Sequence, residues 1–535
     1  DETACVSLDI PLHKVSAVCP LEAQTTRSFA QGLREILVIE EKRQIIEYQI
    51  KEELYNWRSD VRPDVLGKFD ELGADHSGGE WSIPKPCEHT LLRAHADLDP
   101  GLIARAIFKR LTRLGILKVN SDAWALARHH IEQLDGHARS LGAPSEAKRP
   151  PWFCSGCPHN TSTQVPEGSR AMAGIGCHFM AIWMDRATLG FTQMGGEGVP
   201  WVGQQPFTDE SHVFANLGDG TYFHSGLLAV RQSVAAGVNI TYKLLYNDAV
   251  DMTGGQPVGE TTEGHSVLQM VHSLLAEGVS RLVIVSDEPQ RYDDAAHALR
   301  SGVVLRLPKQ VDVFHRDALE EVQRQLIKVR GTTVLIYDQT CATEKRRRRK
   351  RGQMAQAQAH VHIHPEVCEG CGDCGVKSNC LSLEPLQTPL GRKRVVNASS
   401  CNTDLSCLKG HCPSFFTIHG ERTAPAKADR SAPPQAWGSL PHPQQAPVLS
   451  ARRILVCGVG GTGVITMGQL LGMAAHIDGY AAVTQDAAGL AQKGGATWSH
   501  VQYGPGQASS LTTKIPEGAA DVMFACDAIV SAMPE

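Results

Sequence analysis

Seven cysteines lie between residues 368 and 412, as CEGCGDCGVKSNC and CNTDLSCLKGHCP. Thiols at this spacing constrain the fold more than any other feature, because the backbone must wrap around whatever they bind. Cys368, Cys371 and Cys374 form C-x2-C-x2-C, and Cys412 is followed by Pro413. Together they supply the four thiolates of a bacterial-type 4Fe-4S cluster. Cys380, Cys401 and Cys407 leave a second site one thiolate short, and Asp404 stands where the middle cysteine belongs. The sequence predicts a modified site there: a 3Fe-4S cluster, or a four-iron cluster with an aspartate or water ligand. A carboxylate is a harder and more weakly held ligand for iron than thiolate, so that corner is expected to be labile. Paired cysteines also bind zinc. The number of cysteines, the Cys-Pro ending and the split ligand order favour iron–sulfur.

A second constellation lies upstream: Gly218-Asp219-Gly220, then Asn247-Asp248. This is the spacing of a thiamine diphosphate site. A diphosphate is bridged to protein by Mg2+, a hard ion that takes oxygen donors from one or two side chains plus phosphate. Asp219 and Asn247 suit that role. HVFANLGDG reads as a buried strand ending in a glycine turn, YFHSGLLAVRQSVAAG as a helix, and ITYKLLYND as the next strand. Both ligands then fall at the carboxyl ends of strands, where open α/β sheets bind ligands. Gly218 and Gly220 let the backbone approach phosphate closely, and Thr253-Gly254-Gly255 follows.

With these motifs in view, the chain resembles the 2-oxoacid:ferredoxin oxidoreductases, most closely the single-chain bacterial indolepyruvate type. CSGCPHN, GIGCH, ANLGDGTYFHSG, YNDAVDMTGG, CEGCGDCG and GLAQKGGATWSHV carry the resemblance, in that order. It implies that Mg2+ is held by Asp219, the Asn247 side chain and the Ala249 carbonyl, and that Gly176, Cys177 and Thr221 join the glycines in contacting the cofactor. It also implies a cluster close to the thiamine, ligated by Cys154, Cys157, Cys177 and Cys341. The cofactors are then thiamine diphosphate, Mg2+ and two to three iron–sulfur clusters. The implied partners are a 2-oxoacid, CoA, ferredoxin and a second copy in a homodimer.

At 535 residues the chain should hold three or four domains at about 150 residues each. Net charge is −5 and no long apolar run or signal-peptide pattern occurs, which points to the cytoplasm and away from membrane insertion. Sixteen cysteines without an export pattern point to metal ligation rather than disulfides. Cys5, Cys19, Cys87, Cys457 and Cys526 are left over and read as packing residues.

An α/β multidomain fold is expected. Residues 1–60 read as the end of a small α/β (transketolase C-terminal-like) domain, 61–150 as a helical connector and 151–343 as a doubly wound parallel thiamine domain. Residues 361–418 read as a ferredoxin-like unit, 420–450 as a Pro- and Ala-rich linker, and 451–535 as the start of a Rossmann-like, gamma-subunit-type unit. Both ends read as cut from something longer. The resemblance places the domain with the thiamine-activating glutamate upstream, so no residue here is given that role and no general base is named; His159, His178 and His224 are candidates for contacting the diphosphate. The run Lys345 to Arg351 reads as a solvated linker or a dock for an acidic carrier, not a nucleic-acid site, since charge is net acidic and aromatics are absent. Gly458, Gly460 and Gly463 fit G-x-G-x-x-G with Asp486 beyond, which leaves a structural turn, an anion or CoA contact, and NAD as readings.

The resemblance implies oxidative decarboxylation of an aryl pyruvate such as indolepyruvate to an arylacetyl-CoA. Pyruvate or another 2-oxoacid is the competing substrate, and an electron-transfer module with a non-catalytic thiamine fold the competing class. Anaerobically prepared protein is expected to hold about eleven to twelve iron atoms per chain, at about four per full cluster. Iron analysis giving about eight would remove the Cys154 cluster.

Overall fold

Apolar runs rich in Val, Ile and Leu form the largest sheet, because strands buried on both faces cannot alternate polar and apolar side chains. The computed structural model describes residues 10–70, 89–95, 97–140, 147–250, 252, 254–259, 265–420, 447–487, 494–508 and 511–533. Near the N-terminus β1 (Glu35–Leu37) pairs in parallel with β2 (Asp64–Leu66), flanked by helices Ala23–Ala30 and Ile46–Leu54. Helix Pro100–Arg113, capped by Asp99, is fastened to β1 by a buried ion pair between Arg110 and Glu35, with Arg110 Nε 2.9 Å from Glu35 Oε1. Helix Asp122–Ser140 follows.

The central sheet contains β3 (Ala171–Ala173), β4 (Thr188–Phe191), β5 (Val213–Gly218), β6 (Ile240–Tyr246), β7 (Arg281–Ser286), β10 (Asp312–His315) and β11 (Thr332–Asp338). A hairpin of β8 (Ala296–Ala298) and β9 (Val304–Arg306) lies outside it. All seven strands run parallel in the order β10-β7-β11-β6-β5-β3-β4. The expected strands ANLGDG, KLLYND, RLVIVSD and TTVLIYD are thus β5, β6, β7 and β11. From β3 the chain moves outward to β4, then returns to β5 and proceeds the other way through β6. The order therefore reverses between β3 and β5, which makes a crevice at their carboxyl ends. One face packs Val213, Ala215, Leu217, Tyr242, Leu244 and Ile284 with Trp201 into the main core.

The cysteine-rich unit is built from two antiparallel pairs, β12 (Ala359–Ile363) with β15 (Phe415–His419) and β13 (Leu383–Thr388) with β14 (Gly391–Val396). Its buried core is Val361, Ile363, Cys368, Leu383 and Val396, with Cys374, Cys380, Cys401 and Cys407 packed against it. A core this small commonly needs support beyond apolar packing, such as a bound metal, disulfides or docking onto a larger unit.

The C-terminal unit departs from the Rossmann-like expectation. Its sheet runs β17 (Ala481–Asp486), β18 (Ala496–Gly504), β16 (Arg452–Val459), β19 (Val522–Ala525), and β18 is antiparallel to both neighbours. The G-x-G-x-x-G turn does lead from β16 into helix Val464–Ile477, with Gly463 at φ 104°. Asp486, however, ends a strand separated from β16 by antiparallel β18, whereas a dinucleotide fold reads the ribose from the adjacent parallel strand. The NAD reading loses its geometry for that reason. The expected linker falls mostly on residues 421–446, and Cys5 and Cys87 also lie outside the described residues. Cys457 is buried as expected, while Cys19 and Cys526 are exposed.

Just before β5, His212 is buried against Phe214, its Nε2 2.8 Å from Thr241 Oγ1. Burial lowers its pKa from 6.5 to about 4. The folded state thus refuses a proton that the unfolded chain accepts. The associated stability is present above pH 6.5 and is lost as pH falls toward 4. In denaturant melts over that range, His212→Asn should flatten the pH dependence; an unchanged slope would show that His212 carries none of it.

Candidate functional site

Three loops meet at the crevice between β3 and β5. Gly174 to His178 follows β3, Gly218 to Thr221 follows β5, and Asn247 to Ala249 follows β6. Thr221 Oγ1 donates to the Ile175 carbonyl at 3.3 Å, tying the first two loops together. Asp219 ties the second to the third: its carboxylate accepts the Gly220 N–H at 2.8 Å and the Asn247 N–H at 3.0 Å. The geometry therefore brings together Gly176, Cys177, Gly218, Asp219, Gly220, Thr221, Asn247 and Ala249, the residues expected to contact cofactor and cation. Directly after Thr221 the helix opens into a π-turn, Tyr222–Gly226, a distortion frequent at functional sites.

Asp219 is almost fully buried, and burial raises its pKa from 3.8 to about 7. Its oxygens meet backbone N–H groups but form no ion pair among the described residues. A buried carboxylate in that condition fits a divalent cation, which replaces the lost hydration. Asn247 Oδ1 lies 3.3 Å from the Ala249 N–H. Asp248 between them holds the left-handed conformation, φ 62°, which Asp tolerates better than most residues. Its carboxylate accepts from Tyr246 Oη at 3.1 Å and pairs with Arg348 at 2.6 Å. The sequence reading used Asp248 only as a spacing mark; its role in shaping the loop depends on an arginine 100 residues away.

His178 sits beneath the crevice in the space left by three glycines. A Cβ at Gly174, Gly176 or Gly218 would approach its ring to 2.8, 2.7 or 3.0 Å. Burial lowers its pKa to about 4, so it is neutral, and its Nε2 has no hydrogen-bond partner. Asn216, one residue pair up β5, has both side-chain polar atoms buried and unsatisfied. His159 is also buried, 5.6 Å from His178 ring to ring, with Nδ1 3.2 Å from Ser162 Oγ. His224 is exposed, with Nδ1 2.7 Å from Ser225 Oγ.

Cys154 and Cys177 pack against a small buried cluster of Phe153, Cys157, Met180 and Ala181. Cys341 arrives from β11, and its N–H donates to the Asn247 carbonyl at 3.0 Å. Burial, then the neighbouring Cys154, Cys341 and Cys177, push the Cys157 thiol well above its usual range. The four expected ligands lie near one another, beside the Asn247 to Ala249 loop. In the cysteine-rich unit the same effect sorts the others. Cys374 is raised by burial and by Cys368 and Cys371, while Cys407 is pushed up to about 12 by burial, Cys380 and Cys401. Backbone N–H groups point at sulfur in both loops, Gly370 to Cys368 and Thr403 to Cys401, each at 3.4 Å. Cys412 Sγ lies 3.0 Å from Ser414 Oγ. Among the described residues no three His, Cys, Asp or Glu side chains converge as around a single ion. A cluster places its own iron and sulfide between the thiolates. The Asp404 carboxylate, by contrast, is turned to Arg316, Gln339 and Ser406.

The basic run corrects the linker expectation. Residues Ala342–Lys350 form a helix that starts at Cys341 and radiates contacts. Lys345 pairs with Asp287 at 2.8 Å, Arg348 with Asp248 and Glu344, Arg346 donates to the Ser399 carbonyl at 2.6 Å, and Arg349 to Asn402 and Thr403. Guanidinium donors reach carbonyls and carboxylates on separate segments at once, which a solvated run does not.

Parts of the chain are similar to known proteins. Residues 1–143 match the indolepyruvate ferredoxin oxidoreductase middle domain, and 453–534 match pyruvate ferredoxin/flavodoxin oxidoreductase. The indolepyruvate oxidoreductase subunit IorA of Thermococcus kodakarensis is 24% identical over 359 residues, covering 63% of this chain and 46% of the relative. The IorB subunit of Archaeoglobus fulgidus is 42% identical over 74 residues, 14% of this chain and 35% of the relative. The chain thus spans less than half the length of these curated relatives. A 2-oxoglutarate:ferredoxin oxidoreductase structure from Magnetococcus marinus aligns at TM-score 0.26 and 21% identity over 37% of this chain and 66% of that one. No helix among the described residues is long and apolar enough to cross a membrane.

Asp219→Ala should weaken Mg2+-dependent retention of thiamine diphosphate by at least about 100-fold. The melting temperature should change little, because the lost carboxylate was buried at a cost. Calorimetry with Mg2+ and the cofactor decides it; unaltered affinity would take Asp219 out of the cation site.

Proposed function

We propose that the chain is a 2-oxoacid:ferredoxin oxidoreductase and that it carries the cofactor-binding and electron-releasing parts of an aryl-pyruvate enzyme with indolepyruvate as the type substrate. The overall change converts the 2-oxoacid and CoA thiol into the acyl-CoA thioester, CO2, one proton and two electrons, the electrons leaving to ferredoxin. The observation that carries this reading is the hydrogen bond from the Cys341 amide to the Asn247 carbonyl. It sets the gathered cysteines directly against the loop that would hold the cofactor's cation.

Asp219, Asn247 and the Ala249 carbonyl hold Mg2+ in this reading, and Gly218, Gly220 and Thr221 approach the diphosphate. Thiamine diphosphate, when bound, supplies the centre that takes up the electron pair left by CO2. The chain's own residues bind, orient and shield. Neutral His178 lies beside Gly218, where its unpartnered Nε2 can serve only as a neutral donor or acceptor. Cys154, Cys157, Cys177 and Cys341 hold the nearer cluster, and the 361–418 unit holds the others in a ferredoxin-like arrangement. An anionic acceptor is favoured by a cleft of about 650 Å3 next to Cys401, lined by Arg346, Arg349, Lys350, His360 and His362 and, among the described residues, by no carboxylate. A homodimer in the cytoplasm completes the proposal.

The match of residues 453–534 to a pyruvate enzyme model keeps pyruvate as the second substrate reading. The intact protein, assayed anaerobically with CoA and ferredoxin, should reduce ferredoxin at least about tenfold faster per KM with indolepyruvate or phenylpyruvate than with pyruvate or 2-oxoglutarate. The rate should fall with added salt at subsaturating ferredoxin. Faster turnover of pyruvate would reassign the substrate, and no reduction with any 2-oxoacid would leave only an electron-transfer role.

A further inference from the structure

Asp404 occupies a cysteine's place in the C-x2-D-x2-C loop, yet its carboxylate is fully engaged elsewhere. Arg316, just beyond β10, pairs with Oδ1 and donates through Nη2 to the Asp404 carbonyl at 2.7 Å. Gln339, just beyond β11, donates to Oδ1 at 2.9 Å, and Ser406 Oγ donates to Oδ2. The side chains of Arg316 and Asp404 are only 11% and 12% exposed. Were the carboxylate to leave for an iron, it would abandon a buried guanidinium, which is strongly unfavourable.

The surroundings converge on the same seam. Asn402 Nδ2 donates to the Ser155 carbonyl at 2.8 Å, and Asn379 Nδ2 to Asn160 Oδ1 at 2.9 Å. Lys409 pairs with Asp317 at 2.5 Å. Gly156, at φ 69°, leaves room for this contact: a Cβ there would lie 3.0 Å from Asp404 Cβ. Thr403 and Leu405, on either side of Asp404, both hold left-handed backbone, φ 55° and 65°. Such strain persists only where the surroundings over-determine it.

We propose that Asp404 is not a cluster ligand but an electrostatic latch. With Arg316 it fixes the Cys380, Cys401 and Cys407 loop against the Cys154 to Cys157 loop, and those three thiolates are the protein's ligands at that site. The cluster part rests on the function proposed above; the latch part does not.

The test uses the anaerobically purified chain with its iron, read by hydrogen–deuterium exchange, iron analysis and electron paramagnetic resonance. Asp404→Asn and Arg316→Ala should each speed exchange in residues 399–409 and 154–160 by at least about tenfold, with the double variant no faster than either. Asp404→Cys should show the same faster exchange while gaining no iron and keeping the cluster signal. If Arg316→Ala cannot be purified, Arg316→Lys, which loses the two-pronged grip, should still exchange faster than the unaltered chain. An added iron and a new four-iron signal in Asp404→Cys, or unchanged exchange in the Arg316 variant, overturns the latch. Absence of iron from the unaltered chain would instead overturn the functional reading while leaving the exchange result to judge the latch.

Discussion

One backbone hydrogen bond, from the Cys341 amide to the Asn247 carbonyl, joins the two chemistries of this chain. On one side it orients the loop that presents Asn247 and Ala249 toward Asp219. On the other it fixes the residue from which helix Ala342–Lys350 departs. That helix then spreads its cations to Asp248, Asp287, Ser399 and Asn402. In the proposed reading, electron transfer from a bound substrate needs donor and acceptors at constant separation, and backbone hydrogen bonds such as this one would help to hold it.

Burial of charge is the second constraint. The crevice between β3 and β5 is lined by groups that lose water without gaining a full partner: Asp219, His178 and Asn216. Burial keeps His178 neutral and pushes the Asp219 carboxyl up, so a cation would relieve the cost of ionising Asp219 there. Lys243, buried beside Asn216 in the β5–β6 ladder, is pushed well down by the same loss of water. Its Nζ is satisfied by the Gln164 carbonyl at 2.7 Å.

Much of this was legible along the chain because the determinants are local. C-x2-C spacing, glycines that admit a close approach and apolar runs ending in GDG or ND each act within a few residues, and β5, β6, β7 and β11 form where those runs predict. The NAD reading failed because adjacency of strands is not local: β18, drawn from later sequence, inserts between β16 and β17. Arginine spacing alone did not show that the basic run is a hub, since partners such as Ser399 and Asp248 lie 53 and 100 residues away.

Residue identity by itself determined which atoms are available: thiols in three groups, one carboxylate and one amide at strand ends, and a segment too small to fold on apolar contacts alone. Tertiary structure alone decided what those atoms face. Asp404 has the ligand position of a cysteine but the surroundings of an ion pair, because Arg316 and Gln339 emerge from β10 and β11 at the rim where the cysteine-rich unit docks. A carboxylate goes to whichever partner shares its burial, and that is set by packing of distant segments rather than by spacing.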